Sequence, residues 1–149
     1  MQLAMDLSTQ LGRPAEWEDV LCGRGFGRFV AWTRGQKRLA VARDFGALEA
    51  LAHATTAEPD SEAHALFAEA AADFIRGLAF TVRAGEIFLC GGVSGHLRHL
   101  FHSDGFRSRL LVSGPVSHVL DNVPVTVVTD DQLALCGCIR LSQRWYAGG

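Results

Sequence analysis

The sequence predicts an α/β fold, helix-rich with one small sheet, in a single domain spanning residues 1–149. Three observations carry this expectation. Segments with helical apolar spacing dominate the chain, the longest of them between residues 61 and 84. Two short runs, 86–90 and 123–128, have the apolar or β-branched character of buried strands. Helices and strands also interleave, and that order layers helices against a sheet.

In chain order, residues 2–12 read as a short helix on which Leu3, Leu7 and Leu11 share one face. Gly12, Arg13 and Pro14 end it, because a proline ring pushes the preceding residue out of helical angles. Residues 15–22 form a second helical turn, and its early acidic residues complement the helix dipole. Gly23-Arg24-Gly25-Phe26-Gly27 matches neither a dinucleotide fingerprint nor a phosphate loop and reads as a turn. An amphipathic piece follows at 28–33, and nothing in 34–43 selects an element. Asp44 is expected to cap a helix ending near His53, with a loop at 55–59.

Asp60 or Ser61 then caps the longest helix. Its apolar positions Ala63, Leu66, Phe67, Ala70, Phe74, Gly77, Leu78 and Val82 recur at helical spacing. Many are small, so another helix, or another subunit, can approach that face closely. Ala84 and Gly85 end it. After the first strand, Gly91 and Gly92 interrupt the chain before a helix at 94–102. Strand, glycine pair and helix can turn a helix N-terminus towards a phosphate. The same two glycines can equally serve only to let helix and strand pack. His96, His99 and His102 read as a solvated face of that helix, with Leu97, Leu100 and Phe101 turned inward. No carboxylate or thiolate joins the histidines, so no metal site is assigned. Pro124 places the second strand at a strand beginning or a sheet edge. The last helix covers 131–145, with Asp130 and Asp131 as its caps and Cys136 and Cys138 as buried thiols.

Charge and composition exclude several functions. Fourteen basic residues against 16 acidic ones leave no excess to neutralise a phosphate backbone, so no nucleic-acid partner is expected. A hydrophobic fraction of 48% excludes disorder. Glu62, Glu69, Asp73 and Arg76 interrupt the longest apolar stretch at a density that hydrocarbon does not accept, so no membrane partner is expected either. The first residues lack a basic cluster and a long apolar run, and the cysteines sit among apolar neighbours. Both features suit a soluble protein of the reducing cytoplasm. No Ser-His-Asp order, nucleophile elbow or carboxylate pair can be picked out, so no catalytic residue is assigned.

Five segments, in order, resemble one family: the bacterial-type glucokinases, ATP-dependent sugar kinases of the actin and hexokinase superfamily. Glu18-Asp19-Val20-Leu21-Cys22-Gly23-Arg24-Gly25-Phe26 resembles the family segment in which a glutamate precedes VLSGxGL. Residues 62–84 resemble the long helix before the family's double glycine. Ile87-Phe88-Leu89-Cys90-Gly91-Gly92-Val93 resembles (V/I)(F/Y)(I/L)xGGI, and Ser103-Asp104-Gly105-Phe106-Arg107 resembles SGFR. Val123-Pro124-Val125, then Asp131 and Leu135-Cys136-Gly137, resemble the closing IPV…DNPGLLG. The likeness spans nearly the whole chain. It departs at Cys22, where the family has serine, and at Leu133-Ala134, where it has Pro-Gly.

The resemblance implies part of an actin-like ATPase (ribonuclease H-like) lobe and the phosphorylation of glucose by ATP with Mg²⁺. It implies that Glu18 hydrogen-bonds sugar hydroxyls and that Gly91 and Gly92 line the nucleotide cleft. An ionised carboxylate suits the first role because charged acceptors make the stronger hydrogen bonds. The family's DxGGT phosphate loop, its Asn-Asp pair with the general base, and its GEGGH sugar segment have no counterpart in this sequence. By resemblance the chain is therefore the C-terminal portion of such a kinase, inactive alone. It is expected to associate with itself or with a complementary N-terminal half. The alternative is a non-catalytic sugar-binding or assembly module that kept the fold.

Overall fold

The computed structural model describes residues 2–35, 37, 39, 62–112, 117–130 and 132–147. Helix α1 (Gln2–Leu11) buries Leu3 and Leu7 and stops at Gly12, whose φ of 67° suits glycine. Ser8 Oγ accepts the Ala15 N–H at 2.8 Å and ties the following loop back to α1. Helix α2 (Trp17–Val20) is a single turn. Helix α3 (Gly23–Thr33) begins where a turn is expected from the glycines, and Cys22 Sγ caps it by accepting the Gly25 N–H at 3.3 Å. That correction has a steric cause. A side chain on Gly25 would run into the Val20 carbonyl, so glycine is required for α3 to pass this close to the end of α2.

Helix α4 (Glu62–Val82) is the central element, packed against α3 and against α7 (Asp104–Leu110). Its buried side chains are Ala63, His64, Phe67, Ala68, Ala71, Ala72 and Ala79, while Leu78 and Val82 are exposed. The buried face is thus rotated from the stripe expected above. On a helix this rich in alanine and other apolar residues, spacing alone does not choose a face. The neighbours choose it. The buried alanines meet helices of the same chain, while Gly77, Leu78 and Val82 of the expected stripe stay exposed. Phe67 lies edge-on to Phe26 and Phe29 of α3, at ring-centre distances of 5.5 and 5.7 Å. On the other helix, Arg109 forks onto Asp73 of α4 at 2.7 and 3.0 Å.

Strand β1 (Ile87–Leu89) pairs in parallel with β2 (Val125–Val127), Ile87 opposite Val125 and Leu89 opposite Val127. Ile87, Leu89, Val125 and Val127 pack against the core, but Phe88 is 57% exposed. The expectation of a buried strand holds for one face only. The helix expected at 94–102 is two short ones, α5 (Gly92–His96) and α6 (Arg98–Phe101), separated at the buried Leu97. A 3₁₀ turn (Ser117–Val119) precedes β2.

Helix α8 (Leu133–Ala147) closes the described chain, and its side chains from Leu133 to Tyr146 are exposed. Cys136 and Cys138 are therefore exposed thiols and not buried ones, because no other element among the described residues covers the helix that carries them. Asp130 accepts the Gln132 N–H at 2.9 Å just ahead of α8. Asp131, the cap Asp60 or Ser61, the helix expected from Asp44 to His53 and the loop at 55–59 lie outside the described residues. Among the described residues no helix is long and apolar enough to cross a membrane.

Candidate functional site

A cavity of about 330 Å³ opens between α2, α4 and the turn after β1. Its size is at the lower end of what small-molecule pockets span. Glu18, Leu21 and Cys22 form one wall, and Leu89 to Ser94 form the opposite wall. Phe67, Ala71, Phe74 and Ile75 of α4, with Phe101, make an apolar floor. Two segments some seventy residues apart in sequence, one with Glu18 and the other with Gly91 and Gly92, thus share one cavity.

Each wall has a local cause. Gly91 adopts φ 97°, a backbone conformation that side chains with a Cβ rarely accept, and this turns the chain sharply out of β1. Gly92 is different: its φ is ordinary, and a Cβ built on it meets no atom within 4 Å. Packing of helix on strand therefore does not require glycine at 92. The space beyond it is open cavity. Helix α5 that follows has only five residues and makes the turn rather than a lasting dipole.

Glu18 projects from α2, and the residues around it hold that single turn rigid. Trp17 packs against Phe74 of α4 with ring centres 5.1 Å apart and planes tilted by 44°. The Asp19 carboxylate accepts two bonds from Arg13, at 2.7 and 3.0 Å, and the Glu16 N–H at 2.9 Å. Those bonds, the Arg13 guanidinium first among them, hold Asp19 down at about 2, well below its ordinary 3.8. Buried Arg28 reaches across from α3, donating to the Asp19 carbonyl at 2.6 Å with its guanidinium 3.5 Å from the carboxylate. Sequence reasoning passed over Asp19, although its spacing of three residues from Glu16 is a capping pattern that could have singled it out.

Other motif residues serve the scaffold. Ser103 caps α7 through the Phe106 N–H at 3.2 Å, and Phe106 is buried edge-on against Phe101, 5.3 Å away. All three histidines, His96, His99 and His102, are exposed, as expected of a solvated face. The His99 ring lies 5.6 Å from that of the fully buried His64. Burial first, then His64 and Arg98, push the His99 pKa below its ordinary value. Among the described residues no three His, Cys, Asp or Glu side chains gather as a metal site. Cys22 and Cys90 face the cavity from opposite walls, Cys22 where the resemblance expects serine.

Comparison with known proteins agrees with the ordered motifs. The bifunctional protein glk of Paraburkholderia xenovorans (strain LB400) is 30% identical over 123 residues, which is 81% of this chain and 19% of that protein. A glucokinase-like protein of Xylella fastidiosa (strain Temecula1 / ATCC 700964) is 29% identical over 102 residues, 66% of this chain and 29% of its own length. The corresponding protein of Xylella fastidiosa (strain 9a5c) matches to the same extent. This chain thus spans less than a third of the curated relatives it matches. No solved structure matches at comparable significance. The family model described as Glucokinase matches residues 1–144, and the chain belongs to that family.

Proposed function

We propose that this chain forms one wall of the sugar and nucleotide cleft of an ATP-dependent glucokinase, a cytoplasmic enzyme that moves the γ-phosphoryl of ATP to the 6-hydroxyl of glucose. In this reading the chain is one domain, a partial actin-like lobe. The observation that carries the reading is the shared cavity, which joins the one carboxylate expected on the sugar to the two glycines expected beside the nucleotide. Glu18 accepts two sugar hydroxyls as an ionised carboxylate. The bare backbone at Gly91 and Gly92 lets a flat nucleotide group lie close, and the apolar floor of α4 excludes water beneath it.

Phosphoryl transfer needs more than these walls. It needs a base within hydrogen-bond reach of the attacking hydroxyl and cations along the phosphates. Glu18 is the only carboxylate among the described residues lining the cavity, and the sugar grip occupies it. Magnesium would arrive with ATP, and no residue of this chain is assigned to hold it. The base therefore comes from a complementary N-terminal portion with the phosphate loop.

Calorimetry with glucose and with ATP tests the binding claim, and a coupled glucose 6-phosphate assay tests the incompleteness. Glu18→Ala should abolish glucose binding and Gly92→Val should abolish ATP binding, with both variants folded. Turnover of glucose by the native chain alone would refute the assignment of the base elsewhere. The exposed α8 favours a second reading, a non-catalytic assembly module. Absence of binding by either ligand in a folded, self-associated chain would establish that reading instead.

A further inference from the structure

Arg28 is buried, yet stability does not explain an arginine there. The residue is 9% exposed, and its Nε has no hydrogen-bond partner among the described residues. An unpaired polar group held out of water costs free energy. An apolar side chain of similar length would fill the same space without that penalty. What the guanidinium supplies is geometry: it donates from α3 to the Asp19 carbonyl at 2.6 Å and lies 3.5 Å from the Asp19 carboxylate.

The turn it grips cannot hold itself. Helix α2 has four residues, far below the roughly 12–15 at which an isolated helix becomes marginal in water. Arg13 also bonds Asp19, but it belongs to the same loop, so that pair shapes the loop without fixing it to the core. The Trp17 ring seats α2 on Phe74, but an apolar contact is non-directional and leaves rotation about it free. Helix α3, by contrast, is fixed, since Phe26 and Phe29 both lie edge-on to Phe67 of α4. A bond from Arg28 to the Asp19 main chain therefore carries the rigidity of the core into α2. One planar peptide then joins Asp19 to Glu18.

We propose that Arg28 is a positioning residue of the sugar site: it fixes the main chain of α2 from the core side and so holds the Glu18 carboxylate on the cavity. Arg28 does not line the cavity and touches no ligand itself. Its effect on affinity rests on the sugar reading of Glu18, whereas its effect on α2 does not. A turn placed correctly for a tenth of the time binds about tenfold more weakly, because apparent affinity scales with the competent fraction.

Arg28→Met and Arg28→Lys in the full chain test the proposal, each compared with the native protein by urea midpoint, glucose calorimetry and amide exchange. In Arg28→Met the urea midpoint should stay at or above the native value, while glucose affinity falls about tenfold. The Leu21 N–H, which closes α2 on the Trp17 carbonyl at 2.7 Å, should lose its protection while the amides of α4 keep theirs. Arg28→Lys retains a donor for the Asp19 carbonyl and should recover both affinity and protection. A midpoint that falls together with the affinity, or a methionine variant that does not fold, makes Arg28 a structural residue only and overturns the proposal. So does a lysine variant no better than methionine. Unchanged Leu21 exchange in Arg28→Met overturns it whatever glucose does. If the native chain binds no glucose but Leu21 still loosens in Arg28→Met, the sugar reading fails and the anchoring of α2 by Arg28 stands.

Discussion

Gly25→Ala tests whether the approach of α3 to α2 shapes the cavity. A methyl group at this position falls on the Val20 carbonyl and within 2.7 Å of Val20 Cα. The obstacle is backbone, so no rotamer change relieves it, and α2 must move. Such overpacking costs about 1–3 kcal/mol, with a rigid obstacle at the upper end. Alanine in a helix recovers roughly 1 kcal/mol over glycine. The net loss is then about 2 kcal/mol, or a melting temperature lower by roughly 4–8 °C in a chain of this size. Gly77→Ala, in α4, is the control, because an added methyl there meets nothing within 4 Å. It should stabilise by about 0.5–1 kcal/mol through helix propensity alone. Scanning calorimetry of both variants reads the difference. Glucose titration of Gly25→Ala reads the displacement of Glu18, which rides on α2. A Gly25→Ala protein as stable as Gly77→Ala, binding glucose like the native chain, would remove the steric basis of this wall.

Three further outcomes follow from the scaffold. The folded-state pKa of His99 is lowered, so the unfolded chain takes up the proton first. Stability should therefore fall as pH drops below His99's ordinary 6.5, levelling off below its folded pKa, and His99→Gln should flatten that part of a urea-midpoint profile. Asp19 works in the opposite sense: its folded pKa is depressed, so its contribution is complete above 3.8 and is lost as pH falls towards about 2. Asp19→Asn should remove that acid slope and cost about 1 kcal/mol or less at neutral pH, since Arg13 is largely solvated and the pair is screened. Ser103→Ala, which strips the cap from α7, should cost about 1 kcal/mol in the same urea titrations.

Much of this was legible in the amino-acid order. The leucine spacing of α1, the long apolar helix, the two strands and the glycine pair between strand and helix all depend on local periodicity or on turn chemistry, and both act within a few residues. The ordered motifs also singled out Glu18, Gly91 and Gly92. Tertiary packing decided what periodicity left degenerate. Apolar residues occur on every side of α4, so α3 and α7 selected the Phe67 and Ala71 face and left Leu78 and Val82 in solvent. The glycines at 23, 25 and 27 look like a turn until Val20 stands against Gly25, when their lack of a side chain becomes what a close helix crossing needs. Asp19 gained its part only when Arg13 and Arg28 converged on it. Whether Gly92 serves packing or a cavity depended on the volume in front of it, and α8 kept Cys136 and Cys138 exposed because no neighbour among the described residues covers them. Local sequence sets which conformations a segment prefers, but burial, charge pairing and empty space belong to pairs of segments, and those exist only once the chain has folded.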